Sequence, residues 1–340
     1  MPTDQPILVA TRGSALALAQ ANLVLAQCRA AFPRLRFEMK IIKTTGDKLQ
    51  TASLAKTDAS LPKGLFTKEL EVALVKGHAD LAVHSLKDLP TDLPAGLKLG
   101  AAGKRADVRD VLIYRDAEFI KTRAAEVKSA EWTPGQDALR GFKPHLDLKD
   151  FPNGAAIATG STRRKAQLLA QRPDLKIVEI RGNIVTRLQK IADRAELDAT
   201  VLALAGLARL DFHVTPEGKL EGDAVPDGLL ATVLDTETML PCVGQGAIGI
   251  EIRADDERIA TICERLNHFN TFQCVTAERA FLQAMGGGCQ SPVAACAEVV
   301  GDKLRMRAMS FRKGPARRAE GKRPIKEAVG LGEQLAAELA

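Results

Sequence analysis

The sequence predicts α/β domains with largely parallel sheets, followed by a small α+β domain at the C-terminus. Its 340 residues exceed what one hydrophobic core usually holds, so two or three domains are expected. A β-rich run, a polar turn and an amphipathic helix follow one another repeatedly, an order typical of parallel sheets. In the last third, two strand-like runs meet at Gly301-Asp302, which predicts a hairpin.

The first part of the chain shows this order from its start. It is predicted to form strands at 7–10, 37–43 and 80–85 and helices at about 15–31 and 65–76. In the second helix Phe66, Leu70 and Leu74 recur at helical spacing, and Gly77 ends the helix. Polar clusters follow the strands, and ligands of open α/β sheets bind beyond the carboxyl ends of strands.

The same order recurs after residue 150. The predicted elements are strands at 155–159, 176–180 and 199–204, helices at 162–171 and 183–194, and then a helix near 271–285, strands at 293–300 and 303–311 and a helix near 326–339. Ser161 is placed as the N-cap of the first of these helices. The connection between Arg115 and Pro152 has weak periodicity, and one of this length is uncommon in a compact domain unless it is functional or disordered.

The net charge of +6 comes from one segment. Residues 303–326 hold ten Lys or Arg and one acid, for a local charge of +9, whereas the rest of the chain is at −3. Such a run indicates a solvated face, with anion or nucleic-acid binding as the alternative. Aromatic residues are 4% of the chain, which argues against stacking platforms for single-stranded nucleic acid. The chain has neither a signal-like start nor an apolar run of about 18 residues, so we expect a soluble, cytoplasmic protein.

The six cysteines form no C-x-x-C pair, so no metal site or redox motif is predicted, and buried free thiols are expected. Cys289 differs because Gly286, Gly287 and Gly288 precede it and let the backbone turn sharply. An ordinary loop would share that feature. The specific alternative is a nucleophile whose thiolate is favoured by nearby cations.

Asp88 precedes a proline-bearing turn, where aspartate most often is a turn or cap residue. Its place at a predicted strand end beside Lys87 also fits a carboxylate that stabilises positive charge on a bound ring. Arginines recur at the same predicted edge, at positions 12, 163, 164, 181, 187 and 209. Since guanidinium groups pair with carboxylate or phosphate, the pattern predicts a polyanionic ligand.

These residues lie in motifs that cover most of residues 7–115 and 153–297. The motifs are ATRGSALALAQ at 10–20, KTTGDK at 43–48, KGLFTKELE at 63–71, DLAVHSLKDLP at 80–90, GSTRRKAQLL at 160–169, IRGNIVTRL at 180–188, ALAGLARL at 203–210, VGQGAIGIEIR at 243–253, LNHFNTFQCVTAERAFL from 266 and GGGCQSP to 292. In residue content and order the chain resembles the porphobilinogen deaminase family of tetrapyrrole biosynthesis.

The resemblance implies two periplasmic-binding-protein-like domains with mixed, largely parallel sheets and a small α+β C-terminal domain, with the chain crossing twice between the first two. Domain 1 would comprise 1–104 and 246–264, and domain 2 would comprise 105–245 with an insertion at about 116–152. Domain 3 would be 265–340 and carry the cysteine loop. A monomer is implied, with no nucleic-acid or membrane partner.

The resemblance also implies a covalent dipyrromethane cofactor, built from two substrate units and held by a thioether to Cys289. The enzyme, a transferase, would join four porphobilinogen molecules head to tail with loss of ammonia, and water would release hydroxymethylbilane. Each pyrrole carries acetate and propionate arms, so the growing chain is a polycarboxylate. That chemistry fits the ligand predicted from the arginines.

Residue by residue, Asp88 matches the family's catalytic aspartate. The resemblance implies that the cofactor is bound by Cys289, Ser14, Lys87, Asp88, Ser161, Arg163, Arg164, Arg187, Arg209 and Gln245. It implies that substrate is bound by Arg12, Gln20, Lys63, Phe66, Arg181 and Asn183.

The chain departs from the family pattern at three places without losing a reacting group. The connection at 116–152 is longer than the family's usual link, Thr162 stands where an apolar residue is common, and Ala294 stands where Gly is common. Two other functions stay open. A non-catalytic solute-binding protein for a polycarboxylate would carry no covalent adduct. A nucleic-acid-binding protein using 303–326 would lose affinity steeply with salt, although no helix-turn-helix, zinc-finger or aromatic RNA-binding signature occurs.

Overall fold

The computed structural model describes residues 5–46, 66–126, 139–288 and 291–340. Lys63 and Cys289, two of the predicted site residues, lie outside the described residues. The chain divides into two compact units: unit 1 is Met1–Val108 with Pro241–Ala340, and unit 2 is Arg109–Leu240. The division into three domains with the boundaries given above stays a prediction.

The strands of the described residues are β1 (Ile7–Arg12), β2 (Phe37–Ile42), β3 (Leu81–Ser85), β4 (Leu97–Ala102), β5 (Asp110–Arg115), β6 (Ala156–Ala158), β7 (Lys176–Val178), β8 (Ala199–Ala203), β9 (His213–Val214), β10 (Leu220–Glu221), β11 (Leu229–Val233), β12 (Ile248–Arg253), β13 (Val293–Val300), β14 (Lys303–Ser310) and β15 (Arg317–Pro324). The α-helices are α1 (Ala15–Ala31), α2 (Lys68–Val75), α3 (Ala117–Glu126), α4 (Thr162–Gln171), α5 (Ile184–Asp193), α6 (Leu204–Ala208), α7 (Glu257–Leu266), α8 (Phe269–Ala284) and α9 (Ala328–Leu339). Three short 3₁₀ turns lie at Leu86–Asp88, Leu148–Asp150 and Ile325–Glu327.

The main sheet of unit 1 has the order β2-β1-β3-β12-β4. β1 pairs in parallel with β2 and β3, whereas β12 is antiparallel to both β3 and β4. Apolar residues of α1, including Val24 and Leu25, are buried against Val9 of β1 and Ile250 of β12. Because β1, β2 and β3 run in the same direction, the residues that follow them meet at one edge of the sheet.

The sheet of unit 2 has the order β11-β5-β8-β6-β7. β6 pairs in parallel with β7 and β8, and β5 is antiparallel to β8 and β11. All five residues of β8 are buried, as expected for a strand covered on both faces. Because β6, β7 and β8 run in the same direction, the polar residues that follow them share one sheet edge.

Both sheets are mixed, as predicted, with parallel and antiparallel pairings in equal number. The parallel share is lower than the sequence predicted, because β4, β5, β11 and β12 supply the antiparallel pairings and were not assigned from the pattern. β4 and β11 are not followed by an amphipathic helix, the feature on which that assignment depended, whereas β5 and β12 do precede the helices α3 and α7.

The C-terminal part of unit 1 is a three-stranded antiparallel sheet in the order β13-β14-β15, and the predicted hairpin at Gly301 is confirmed. Phe281 of α8 and Leu331 of α9 are buried with Leu304 of β14 in one core. β15 was not predicted, since its charged residues hide the strand pattern. Its Gly321 lets α9 approach closely: a Cβ there would lie 3.0 Å from Cδ1 of Leu331.

The long connection after β5 is in part folded onto unit 2. Beyond α3, Phe142 and Phe151 are buried with Tyr114 of β5. The rings of Phe142 and Phe151 are 4.8 Å apart, and each lies 6.0 Å from the Tyr114 ring. Through Phe142, Leu148 and Phe151, the segment 139–152 thus contributes to the core of unit 2. Within the described ranges, no helix has the length and hydropathy needed to cross a bilayer.

Candidate active site

A cavity at the carboxyl edge of the unit 1 sheet brings together five of the predicted site residues: Arg12, Ser14, Gln20, Phe66 and Asp88. They come from four separate stretches of chain. Arg12 ends β1 and Ser14 follows it, α1 supplies Gln20, Phe66 lies two residues before α2, and Asp88 follows β3. The parallel pairing of β1 with β3 is what places the two strand ends side by side.

Arg12 and Phe66 form one wall of the cavity. The Cζ atom of Arg12 lies 4.1 Å from the centroid of the Phe66 ring, a distance typical of a cation–π contact. Both side chains are half-buried. The contact orients the guanidinium over the ring, so that this wall presents a cation and an aromatic surface together.

Ser14 and Gln20 have structural partners of their own. Ser14 is the N-cap of α1, and its Oγ accepts a hydrogen bond from the backbone N–H of Ala17 at 3.4 Å. Gln20 is 2% exposed, and its amide exchanges hydrogen bonds with the Ser85 hydroxyl at 2.8 and 3.0 Å. This pair fixes α1 against the end of β3, two residues before Lys87.

Asp88 ends the 3₁₀ turn that follows β3, and its side chain is exposed, while that of Lys87 is half-buried. Gly244 lies against this turn with a φ of 73°. A Cβ at Gly244 would lie 3.1 Å from both the carbonyl carbon of Leu86 and the backbone nitrogen of Lys87. Only glycine suits this combination of positive φ and close approach.

A buried group of titratable side chains adjoins the cavity. His84 lines it, and Nε2 of His84 lies 3.0 Å from Oε2 of Glu251, with both side chains buried. Burial raises the pKa of Glu71, which the Thr67 hydroxyl opposes and the Glu251 carboxylate reinforces. This group was missed from the sequence, although His84 and Ser85 in HSLKD stand directly before the Asp88 turn.

In unit 2, two predicted site residues are helix caps. Ser161 caps α4, accepting a hydrogen bond from the N–H of Arg164 at 3.4 Å, so that prediction is confirmed. Asn183 caps α5 and accepts from the N–H of Thr186 at 2.8 Å. Both caps lie where β6 and β7 lead into helices, the positions at which backbone N–H groups favour anions.

Arg163 and Arg164 converge on one buried carboxylate. Arg163 Nη1 donates to Oδ2 of Asp110 at 2.8 Å, and Arg164 Nη2 donates to Oδ1 at 2.7 Å. Arg163 also donates to the carbonyl oxygen of Leu240, and Arg164 to that of Val201, each at 2.8 Å. Burial alone would raise the pKa of Asp110, but the two guanidinium groups hold it well below its usual range. Both arginines thus have a structural role at the sheet edge.

The other three arginines of unit 2 that were predicted to belong to the site differ in exposure. Arg181 is exposed and donates to Glu179 at 2.8 Å. Half-buried Arg187 donates through Nε to the carbonyl oxygen of Gly182 at 2.8 Å. Burial lowers the pKa of Arg209 to about 10, which leaves its guanidinium charged at neutral pH. All three are at the edge where β7 and β8 end.

Gln245 belongs to a buried network of unit 1. Its side-chain Nε2 donates to the carbonyl oxygen of Val108 at 2.7 Å, and its own backbone carbonyl accepts from Nε of Arg105 at 2.9 Å. Arg105 also pairs with Glu278, whose carboxylate lies 2.6 and 3.0 Å from the two terminal nitrogens. Burial would lower the pKa of Arg105, but Glu278 raises it above its ordinary value.

Cys242 is half-buried, contrary to the expectation of buried thiols. Four other cysteines are buried free thiols, as expected: Cys28, Cys263, Cys274 and Cys296. Burial raises the pKa of Cys28 to about 11 and that of each of the other three to about 12. Thiols of this kind are poor nucleophiles, since the thiolate is the reactive form. Chemistry at any of these four positions is therefore disfavoured.

The residues that sequence reasoning missed are mostly buried charges: Asp110, Glu278, Glu251 and Arg105. Glu251 stands inside the apolar run AIGIEIR and Asp110 begins the apolar run DVLIYR, whereas Arg105 and Glu278 have charged neighbours in the sequence. A charge in such a run is a signal in itself, because isolated charges are almost never buried without a partner. The identity of the partner is not local information and came from the fold.

Taken separately, each sheet edge offers donors that suit a dipyrromethane with carboxylate arms. Hydroxyl and amide groups stand beside several guanidinium groups, which bind carboxylates bidentately. Nε of Arg164 is buried and makes no hydrogen bond among the described residues. This donor set suits an acidic organic ligand better than a metal ion.

Comparison with known proteins gives a concordant result. Residues 7–261 match the family model "Porphobilinogen deaminase, dipyromethane cofactor binding domain", and residues 272–340 match "Porphobilinogen deaminase, C-terminal domain". The porphobilinogen deaminase of Desulforudis audaxviator is 41% identical, over 98% of this chain and 94% of its own length. That of Syntrophus aciditrophicus is 40% identical over 97% of this chain and 94% of its own length.

Among solved structures, the periplasmic aliphatic sulphonate binding protein of Escherichia coli is 12% identical, with a TM-score of 0.37 over 84% of this chain and 71% of its own. A similarity at this level supports no conclusion about function. Two family models that span nearly all of the chain, and relatives at 40–41% identity over almost their full length, are decisive. The chain belongs to the porphobilinogen deaminase family, transferases of tetrapyrrole biosynthesis.

Proposed function

We propose that the chain joins four porphobilinogen molecules head to tail, losing one ammonia for each, and then releases hydroxymethylbilane by hydrolysis. The proposal assigns this chemistry to named residues of this chain. It is carried by the unit 1 cavity, which gathers Arg12, Phe66 and Asp88 at one sheet edge. Family membership does not favour the alternative of a non-catalytic solute-binding protein.

Asp88 is the catalytic residue in this proposal. Departure of ammonia from an aminomethylpyrrole leaves positive charge on the substrate's pyrrole nitrogen. The Asp88 carboxylate lines the cavity just after β3. It accepts a hydrogen bond from the pyrrole N–H and stabilises the positive charge as that charge develops. A group placed before the reaction begins needs no reorganisation during it.

Arg12 and Phe66 bind the substrate beside Asp88. The guanidinium pairs with an acetate or propionate arm, and the ring covers the face of the pyrrole. Ser14, Gln20 and Lys87 complete this set, to which Lys63 is added as a residue outside the described part of the chain. The 4.1 Å contact between Arg12 and Phe66 supports a shared role.

The residues of the unit 2 edge bind the carboxylate arms of the growing chain. They are Ser161, Arg163, Arg164, Arg181, Asn183, Arg187 and Arg209, together with Gln245 of unit 1. Dipyrromethane, when bound, supplies the free α-carbon to which the first substrate is joined, and we place its thioether at Cys289. We further propose that the enzyme is a cytoplasmic monomer that binds no nucleic acid.

Intact mass and turnover together test the assignment. We expect the purified protein to be heavier than its sequence by one dipyrromethane unit and Cys289→Ser to lack that mass. An unmodified mass in active enzyme would overturn the placement at Cys289. Asp88→Asn is expected to keep the added mass and to lose about 100- to 1,000-fold in kcat. Asp255→Asn, an exposed aspartate of the same unit, is the matched control, and equal kcat values for the two variants would remove Asp88 from its role.

A further inference from the structure

One face of α8 packs along the turn that carries Asp88 and along the residues that follow it. Val275, Arg279 and Gln283 are spaced four residues apart, so their side chains lie along the same side of the helix. Val275 is buried in a cluster with Leu86 and Leu89, the two apolar residues that flank Lys87 and Asp88. The helix is therefore packed directly under the turn.

Arg279 binds the backbone immediately after Asp88. Its Nη1 donates to the carbonyl oxygen of Leu89 at 3.0 Å, and its Nη2 donates to those of Pro90 at 2.6 Å and Thr91 at 3.3 Å. Carbonyl groups removed from water need donors, and one planar guanidinium supplies all three bonds. One turn further along the helix, Nε2 of Gln283 donates to Oδ1 of Asp92 at 2.7 Å.

The guanidinium stays charged at this position. Burial lowers the pKa of Arg279 to about 10, and the Glu251 and Asp92 carboxylates oppose the change. A pKa of about 10 leaves the group protonated at neutral pH, so its bonds to the three carbonyls are charge-assisted. A neutral amide or hydroxyl at this position would hold the segment less firmly.

We infer that Arg279 is a positioning residue for Asp88. By fixing the three carbonyls that follow the turn, it holds the Asp88 carboxylate where positive charge develops on the substrate. The inference rests on the catalytic role proposed for Asp88. The same helix is followed in the chain by Gly286-Gly287-Gly288, which precede Cys289. One helix therefore packs against the Asp88 turn and also leads into the loop of the proposed cofactor cysteine.

A positioning role has a kinetic signature. Asp88 acts on charge that exists mainly in the transition state, so its displacement lowers kcat and leaves KM nearly unchanged. A misplacement of about 1 Å costs about 100-fold in rate. For Arg279→Met we expect kcat to fall about 10- to 100-fold and KM to stay within about twofold, with the dipyrromethane mass retained. Arg279→Lys keeps the charge but not the fork, and its kcat should lie between those of the wild type and Arg279→Met.

The decisive measurement is a double-mutant cycle with Asp88→Asn. If Arg279 acts through Asp88, adding Arg279→Met to Asp88→Asn slows turnover no further. Arg317→Met is the matched control, because Arg317 also donates to three backbone carbonyls, those of residues 338–340, far along the chain from Asp88. It should lower the unfolding midpoint and leave kcat unchanged.

Two results overturn the inference: an unchanged kcat in folded Arg279→Met, or rate losses that multiply in the double variant. If Asp88→Asn alone turns over normally, the proposed role of Asp88 fails, and the inference falls with it. That failure is visible in the single variant and is distinct from a failure confined to Arg279.

Discussion

The Asp110 carboxylate gives the sharpest test of how the unit 2 edge is held together. Asp110→Asn keeps the shape of the side chain and removes the charge that Arg163 and Arg164 share. Both bonds are short, at 2.8 and 2.7 Å, and the Asp110 side chain is 0% exposed. Removing one partner of a buried ion pair costs about 3–5 kcal/mol, because the other charge stays buried without compensation.

We expect that loss in urea unfolding of the full chain followed by circular dichroism. It is a large part of the roughly 5–15 kcal/mol that stabilises a typical domain. Glu179→Gln is the control, since Glu179 and Arg181 also form a 2.8 Å pair but are 64% and 53% exposed. An exposed pair contributes about 1 kcal/mol or less. Equal effects of the two substitutions would refute the argument from burial.

The pH dependence of the same variant checks the sign. The folded-state pKa of Asp110 lies below the unfolded value, which is about 3.9 for aspartate. The carboxylate therefore stabilises the fold fully above about pH 4, and this stabilisation is lost as pH falls through the folded pKa. The stability difference between wild type and Asp110→Asn should be constant from about pH 5 to 8 and shrink in more acidic buffer. A difference that changes across the neutral range would contradict this assignment.

Three further outcomes are expected. Glu278→Gln leaves the Arg105 charge buried and should cost about 3–5 kcal/mol in chemical denaturation; a cost below about 1 kcal/mol would show that water reaches the pair. Phe66→Leu removes the ring beneath Arg12, and the lost contact is worth about 0.5–2 kcal/mol. KM for porphobilinogen should therefore rise roughly 2- to 30-fold. An unchanged KM would place the ring outside the binding site. Phe142→Ala should destabilise unit 2 by about 3–5 kcal/mol in thermal unfolding without altering kcat, whereas wild-type stability would mean that the connection is not part of the core.

Local pattern was enough to predict much of the fold. The strand at 80–85 and the helix that Gly77 ends are confirmed as Leu81–Ser85 and Lys68–Val75. The hairpin at Gly301 is confirmed as well. Periodicity and turn residues act over a few positions, so they report these elements directly. β15 was not predicted, because most of its residues are charged and its inward-facing Ala319 and Gly321 are small residues that do not favour strands.

The sequence predicted candidate site residues, but it did not predict which side chains contact one another. The motifs identified the family, and the parallel pairing of β1 and β3 explains why Arg12 and Asp88 share a cavity. The sequence did not reveal that Arg163 and Arg164 meet Asp110, more than fifty positions away. Their clustering at the predicted sheet edge indicated a polyanionic ligand. This clustering has a second explanation, a buried counter-charge supplied by another strand.

Arg163 also brings the two ends of unit 2 together. Its Nη1 atom holds both the Asp110 carboxylate and the carbonyl oxygen of Leu240, near the first and at the last residue of the unit. Unit 2 therefore starts and stops at one point, the arrangement that makes a domain insertable into a loop of another protein. Inserting residues 109–240 into a loop of another protein should preserve the fold of unit 2, because this segment contains Arg163 and both of its partners, Asp110 and Leu240.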